Sequence, residues 1–280
     1  MPKAKSKIQN KDTLQVVISD THTGSNFALF LGKQWQGINT NHSPTHAQDE
    51  IRSHWLRFAA EVAGAREGRV VKLIVNGDSI DGDHHHSGDV CTVDEHEQAD
   101  IHIDLMNEFE GLINWQAGDE IYYTKGTQTH THNQENYIGS QLNAVMCGDF
   151  YSWDFLPLET NGVLSWFVHH GPGAGVGANE GNVMRNWLRN IAFDGDKDGY
   201  RIPDILFTGH VHSPTYSTYI HRSGMIFKTI HGIILPSWQA KTRYAYMRSP
   251  VARNKIGGVY QVITADGIVS TPRFCVMGYE

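Results

Sequence analysis

Each of five apolar runs in this chain stops at a polar segment rich in histidine, aspartate and glycine, and that punctuation constrains the fold more than any other feature. Leu14 to Ile18 runs into Ser19-Asp20-Thr21-His22-Thr23-Gly24, and Val70 to Val75 is followed by Gly77-Asp78. Ile121 to Thr124 leads to Gly126-Thr127 with His130 just beyond, Val163 to Val168 to His169-His170, and Ile205 to Thr208 to Gly209-His210-Val211-His212. Short apolar runs bounded in this way read as buried strands. Between the first three, Ile51, Trp55, Phe58, Ala59 and Val62 (a helix over about Ala47 to Ala65), then Ile101, Leu105, Phe109 and Leu112, recur at helical spacing. Alternating strands and helices predict a mostly parallel sheet covered by helices, with functional loops outside the carboxyl ends of the strands.

The second half adds a helix marked by Val183, Trp187 and Ile191. Beyond Pro214 it shifts to short strands near Tyr216 to Ile220, Met225 to Ile230, Gly257 to Thr264 and Ile268 to Phe274. Without helical periodicity between them, these predict a second, largely antiparallel sheet. The expected fold class is α/β, a two-sheet β-sandwich flanked by helices. With 280 residues, 40% of them hydrophobic, there is enough chain for one large core. Absence of a linker or repeat suggests a single domain over 1–280, with 1–12 a flexible start.

A net charge of −7 without a basic block argues against a dedicated nucleic-acid binder, though not against nucleic acid held locally as substrate. Cys91, Cys147 and Cys275 share no short spacing and read as small buried hydrophobes in a reducing compartment. The basic start MPKAKSKIQNK precedes no apolar stretch, and no apolar run approaches membrane-spanning length, so the expectation is a cytoplasmic protein with no membrane partner.

The chain carries 17 histidines, clustered beside Asp and Gly, which points to metal. Mixed carboxylate and imidazole donors suit manganese (Mn), iron (Fe) or zinc (Zn), whereas calcium and magnesium favour all-oxygen shells. Residues i and i+2 of an extended segment point the same way, so Asp20 and His22, or His210 and His212, can converge.

In order and composition these motifs resemble the calcineurin-like metallophosphoesterase superfamily: Asp-x-His, Gly-Asp, Gly-Asn-His, a His, then Gly-His-x-His. The resemblance spans Asp20 to His212 and implies a four-layer α/β/β/α fold holding two divalent metal ions. Asp20, His22 and His212 would bind one, His169 and His210 the other, and Asp78 would bridge them. His169 is preferred over His170 because the superfamily ligand usually comes first in such strand ends. The third motif departs, reading Gly126-Thr127-Gln128-Thr129-His130 with Glu135 further on, a form similar to phage and prophage members. The usual Asn is absent, leaving Thr127, His130 or water in its place, or a weaker second site. His130 is the candidate for protonating the leaving group, with metal ligation as its alternative role.

Other clusters have blander readings. Asp81, Asp83, His84, His85 and His86 read as a solvated loop, with shaping of the substrate entrance or hydrogen bonding to ligands as the alternatives. Asp194 to Gly199 imitates a calcium loop, but Ile205 stands at the twelfth position, so it reads as a helix-to-strand turn. Gly171 to Gly177 reads as a flexible rim. Trp238, Arg243, Tyr244, Tyr246 and Arg248 read as packing, with nucleotide stacking as the alternative.

The function expected is hydrolysis of a phosphate ester, a phosphodiester favoured, by water activated between two cations, with Asp78 indispensable. The partner is then a phosphoester, a nucleotide or nucleic acid among the candidates. Two rival expectations are a nuclease acting on DNA or RNA ends and a non-catalytic metal-binding protein of the same fold.

Overall fold

Strand β1 (Thr13–Ile18) is buried along its whole length, Gln15 included, as a strand at the centre of a covered sheet is. The computed structural model describes residues 11–38, 40–82, 88–175, 179–242 and 254–277, excluding the side chains of Thr129 and His130. After β1 come the two-residue strands β2 (Trp35–Gln36) and β3 (Asn41–His42), α1 (His46–Arg66), β4 (Val70–Asn76), α2 (Glu95–Leu112) and β5 (Glu120–Thr124). Then follow α3 (Gln128–Thr131), α4 (Gln134–Gln141), β6 (Leu156–Thr160), β7 (Val163–Phe167), α5 (Asn182–Asp198) and β8 (Ile205–Thr208). The remaining strands are β9 (Thr215–Ser223), β10 (Ile226–Ile234), β11 (Gly257–Ile263) and β12 (Arg273–Val276).

The main strands form two five-stranded sheets, ordered β12-β11-β1-β4-β5 and β6-β7-β8-β10-β9. Strand parity sorts the side chains into layers. Leu14, Val16 and Ile18 of β1, with Val71, Leu73 and Val75 of β4, pack in one cluster with Ile51, Trp55, Phe58 and Val62 of α1 and Ile101, Leu105 and Phe109 of α2. Val17 and Ile74, pointing the other way, meet Phe167, Ile205, Phe207 and Ile233 between the sheets. Met184, Leu188 and Ala192 of α5 cover Leu206, Ile230 and Ile234 on the outer face of the second sheet. The α/β/β/α layering is therefore present, and each fully buried aliphatic or aromatic side chain in it contributes roughly 1.5–3 kcal/mol.

Local chemistry sets the helix ends. Thr45 caps α1 through a reciprocal capping box with Gln48, and Asp94 caps α2 by accepting from the His96 and Glu97 N–H groups. At the far ends of β4 and β5 a buried ion pair, Arg66 to Asp119 at 2.7 Å, ties α1 to the first sheet. None of the helices, among the described residues, is long and apolar enough to cross a membrane.

Two expectations require correction. The late strands do not make a sheet of their own: β9 and β10 extend the second sheet, while β11 and β12 return to the first, β11 antiparallel to β1 with Val17 opposite Val259. The segment Asp194 to Asp198 is no turn but the end of α5, closed by Gly199 in the left-handed conformation at φ 76°. The helix marked by Val183, Trp187 and Ile191 is present as α5, its buried stripe being Met184, Leu188 and Ala192, with Trp187 and Ile191 partly buried beside it and Val183 exposed.

Candidate metal centre

The loops after β1, β4, β5, β7 and β8 meet at one end of the sandwich. Backbone hydrogen bonds knit them: Asp20 N–H to Gly77 O (3.1 Å), His22 N–H to Asp78 O (3.0 Å) and Gly209 N–H to His169 O (2.9 Å). Close approach demands glycine at two points. A Cβ on Gly126 would strike the Asp78 backbone and carboxylate, and one on Gly209 would strike Ser19 and Asp20. The loops hold Asp20, His22, Asp78, His210 and His212 at positive φ, between 43° and 69°. Non-glycine residues rarely adopt this region, and such strain persists where surrounding contacts over-determine it.

All six expected ligands come together. Asp20 Oδ1 lies 3.2 Å from His212 Nε2, 3.8 Å from His169 Nε2 and 4.0 Å from His22 Nε2. Asp78 Oδ2 lies 3.1 Å from His169 Nε2, 3.9 Å from His22 Nε2 and 4.0 Å from His210 Nδ1. Three overlapping triads can each hold a cation: Asp20, His22 and His212; Asp20, Asp78 and His169; and His169, His170 and His210, the donor atoms within 4.8 Å of one another in each. His169 Nε2 is buried and faces the Asp78 carboxylate at 3.1 Å and that of Asp20 at 3.8 Å. A buried imidazole nitrogen facing two carboxylates fits a cation donor.

The electrostatics keep both acids ionised. Burial pushes the Asp20 carboxyl up, but the His169 and His212 imidazoles outweigh it and lower the pKa to about 2. Burial likewise opposes ionisation of Asp78, yet His169 and His210 hold it well below the usual carboxylate range. The same pairs, against a burial effect of opposite sign, raise His169 to about 9. A divalent cation in this pocket would compete with protons for the same donor atoms.

Groups behind the candidate ligands fix their orientation. His169 Nδ1 is 2.8 Å from the Asn76 carbonyl, so that nitrogen carries the proton and Nε2 faces the acids. Asp81 Oδ1 stands 3.0 Å from His22 Nδ1 and also accepts from Gln239 Nε2 at 3.0 Å. Asn254 Nδ2 lies 3.2 Å from His212 Nδ1. Ser19 Oγ donates to Asp20, which also receives the His210 N–H at 3.0 Å. Deeper still, His102 lies between Tyr123 Oη (3.1 Å) and Thr21 Oγ1 (3.2 Å), and Thr21 in turn donates to Ser79 O (2.8 Å). Buried Glu135 accepts from the Ser79 and Gly126 N–H groups, and burial raises its pKa to about 7.

Several expectations resolve differently. Asp81 is not solvated but holds the candidate ligand His22; Asp83, His84, His85 and His86 lie outside the described residues. The backbone of His130 is part of α3, but its side chain lies outside the described residues. Trp238 is fully buried against Trp55 and Phe58, so it is core and no stacking platform, while Arg243, Tyr244, Tyr246 and Arg248 lie outside the described residues. His170, passed over for His169, joins the cluster beside it. The doubled His169-His170 was the signal for it. Asn76, Gln239 and Asn254 carried no local signal, because each reaches the centre only through the tertiary fold.

No family model matches the chain, and no curated protein does. Among solved structures it is similar to a conserved uncharacterized protein of Streptococcus pneumoniae described as a predicted phosphoesterase, with 13% identity over 95% of this chain and 98% of that one and a TM-score of 0.33. It is similar to a Thermotoga maritima protein, with 14% identity, 95% and 99% coverage and a TM-score of 0.32. A metallophosphoesterase from Sphaerobacter thermophilus shares 10% identity over 95% and 89%, with a TM-score of 0.35. Overlaps this loose carry nothing about activity.

Proposed function

We propose that the protein is a metal-dependent phosphoesterase holding two divalent cations, with Asp20, His22 and His212 around one, His169 and His210 around the other, and Asp78 shared between them. The observation that carries this reading is the position of Asp78. Its carboxylate is buried and lies within 4.0 Å of His22, His169 and His210, side chains from three different loops. Two ionised carboxylates this close, surrounded by imidazoles, suit a pair of cations better than any purely protein role.

Divalent cations bound there supply Lewis acidity, which lowers the pKa of water and draws charge from phosphoryl oxygens. The chain's own residues supply orientation. Asp20 and Asp78 stay ionised near neutral pH, Asp81 and Asn76 point the His22 and His169 nitrogens inward, and His170 and His210 line the open side. The half-exposed His210 side chain marks the face from which an ester would approach. His130, on the α3 turn that begins beside Asp78, is the proposed proton donor to the leaving group.

The test is hydrolysis of bis-p-nitrophenyl phosphate and p-nitrophenyl phosphate by metal-stripped protein titrated with manganese, zinc, iron or magnesium, beside Asp78→Asn. Turnover restored by metal and lost in the variant is the expected result, and the two substrates rank diester against monoester. Full turnover in Asp78→Asn would overturn the shared-carboxylate reading.

A further inference from the structure

We infer that His170 is the ligand that completes the second metal site, standing in for the missing amide side chain at position 127 and making that site nitrogen-rich. The inference rests on the two-cation reading above and adds a donor to it. Thr127 occupies the position where the resembled motif has Asn, and its side chain is committed elsewhere. Its backbone N–H donates to Asp78 Oδ1 at 2.6 Å and its hydroxyl to Asp78 Oδ2 at 3.2 Å. A neutral hydroxyl so engaged is a poor replacement for an amide oxygen.

His170 is well placed to take over. Its Nε2 lies 3.2 Å from Thr127 Oγ1, beside the vacated ligand position. Its ring centroid is 5.0 Å from that of His169 and 4.5 Å from that of His210, and the three imidazoles share a cluster whose donor atoms fall within 4.8 Å. Adjacent residues seldom point into the same site from a regular strand, where they face opposite ways. Here β7 ends at Phe167, so the chain at His169-His170 is free of that alternation.

The chemical consequence is selectivity. Asp20, Asp78, His22 and His212 offer equal numbers of carboxylates and imidazoles around the first position. Asp78 with His169, His170 and His210 offers three imidazoles and one carboxylate around the second. Imidazole suits zinc or iron, while magnesium prefers oxygen. The second position is therefore assigned to a zinc-like or iron-like cation, and magnesium alone should not fill it.

Equilibrium dialysis of the full metal-stripped chain against zinc, read by atomic emission, tests the assignment in wild type and His170→Ala. Wild type should bind two zinc ions per chain, and the variant should keep one and bind the other on the order of 100-fold more weakly. Should the variant fold poorly by circular dichroism, the wild type answers by itself. Exposed His170 should be carbethoxylated by diethyl pyrocarbonate in stripped protein and protected as the second zinc equivalent is added, read by peptide mass spectrometry. Two zinc ions held at wild-type affinity by His170→Ala, whether or not turnover is lost, would overturn the assignment, as would a wild type that binds only one or full modification of His170 at two equivalents. Two bound zinc ions without hydrolysis of any phosphoester would instead sink the phosphoesterase reading and leave the ligand assignment standing.

Discussion

Thr127 donates to both carboxylate oxygens of Asp78, through its backbone N–H at 2.6 Å and its hydroxyl at 3.2 Å. The loop after β5 is thereby anchored to the residue on which the two proposed cation positions converge. Gly126 makes the approach achievable, since any side chain there would collide with Asp78. Where the resembled motif carries an amide, Thr127 thus acts as a clamp on the proposed bridging acid.

Thr127→Val separates the two halves of that clamp, because valine keeps the shape and the backbone N–H and loses only the hydroxyl. A hydrogen bond to a charged acceptor contributes about 1.5–3 kcal/mol. Metal affinity, measured by competition with a chromophoric chelator, should fall about 10-fold or more, and the stripped protein should lose thermal stability by no more than that one hydrogen bond contributes. Unchanged affinity would mean that the N–H alone holds Asp78.

Asp81→Asn probes the orientation of His22. Asp81 fixes the proton on His22 Nδ1 and leaves Nε2 as the donor facing the acids. Orienting partners of this kind typically cost 10- to 100-fold in metal affinity when replaced. Zinc binding at the Asp20, His22, His212 position should weaken by that factor, and Asp81→Glu, which keeps the charge, should recover part of it.

The layout of the site was legible in the sequence because the strand ends announce themselves: apolar runs stop, and ligand-type residues follow. The face of α1 was equally plain, since Ile51, Trp55, Phe58, Ala59 and Val62 are all buried as the period requires. What was not legible depended on distance along the chain. Strand β11 pairs with β1 across some two hundred and forty residues, and nothing in local periodicity names a partner that remote. Strand β6 escaped notice because it alternates buried and exposed positions over only five residues and contains Pro157. In α5, two apolar series one residue apart were available, and only packing on Leu206 and Ile234 decides for Met184 and Leu188. The positive φ angles of five ligand candidates were hidden because aspartate and histidine do not advertise the left-handed region as glycine does.

Asp119→Ala tests the structural end of the sandwich away from the candidate metal centre. Asp119 pairs with Arg66 and accepts the Val71 and Gln116 N–H groups, both at 2.7–2.8 Å. Arg66 is almost fully buried, so removing its partner strands a charge in the interior. Losing one member of a buried pair costs about 3–5 kcal/mol. Urea denaturation should report a loss of that size, with metal stoichiometry intact in the fraction that remains folded. A loss below about 1 kcal/mol would mean that water reaches Arg66 readily.

His102 predicts a pH dependence of stability. Burial lowers its pKa to about 3, and its ring lies between Tyr123 and Thr21 as a neutral group. In the unfolded chain the same imidazole titrates near 6.5. Between those two values the unfolded state binds a proton that the folded state refuses, so His102 favours unfolding increasingly as pH falls below about 6.5 and stops doing so only near 3. At pH 5 the effect amounts to about 2 kcal/mol, from about 1.5 pH units at 1.36 kcal/mol each. His102→Gln has no such titration while keeping a donor and an acceptor. Its stability deficit relative to wild type, measured on metal-stripped protein by denaturant unfolding, should therefore shrink by about 2 kcal/mol between pH 7 and pH 5. A deficit that stays constant across that range would mean the folded protein admits the proton at His102, and the Tyr123–His102–Thr21 chain behind the metal centre would then require a charged imidazole.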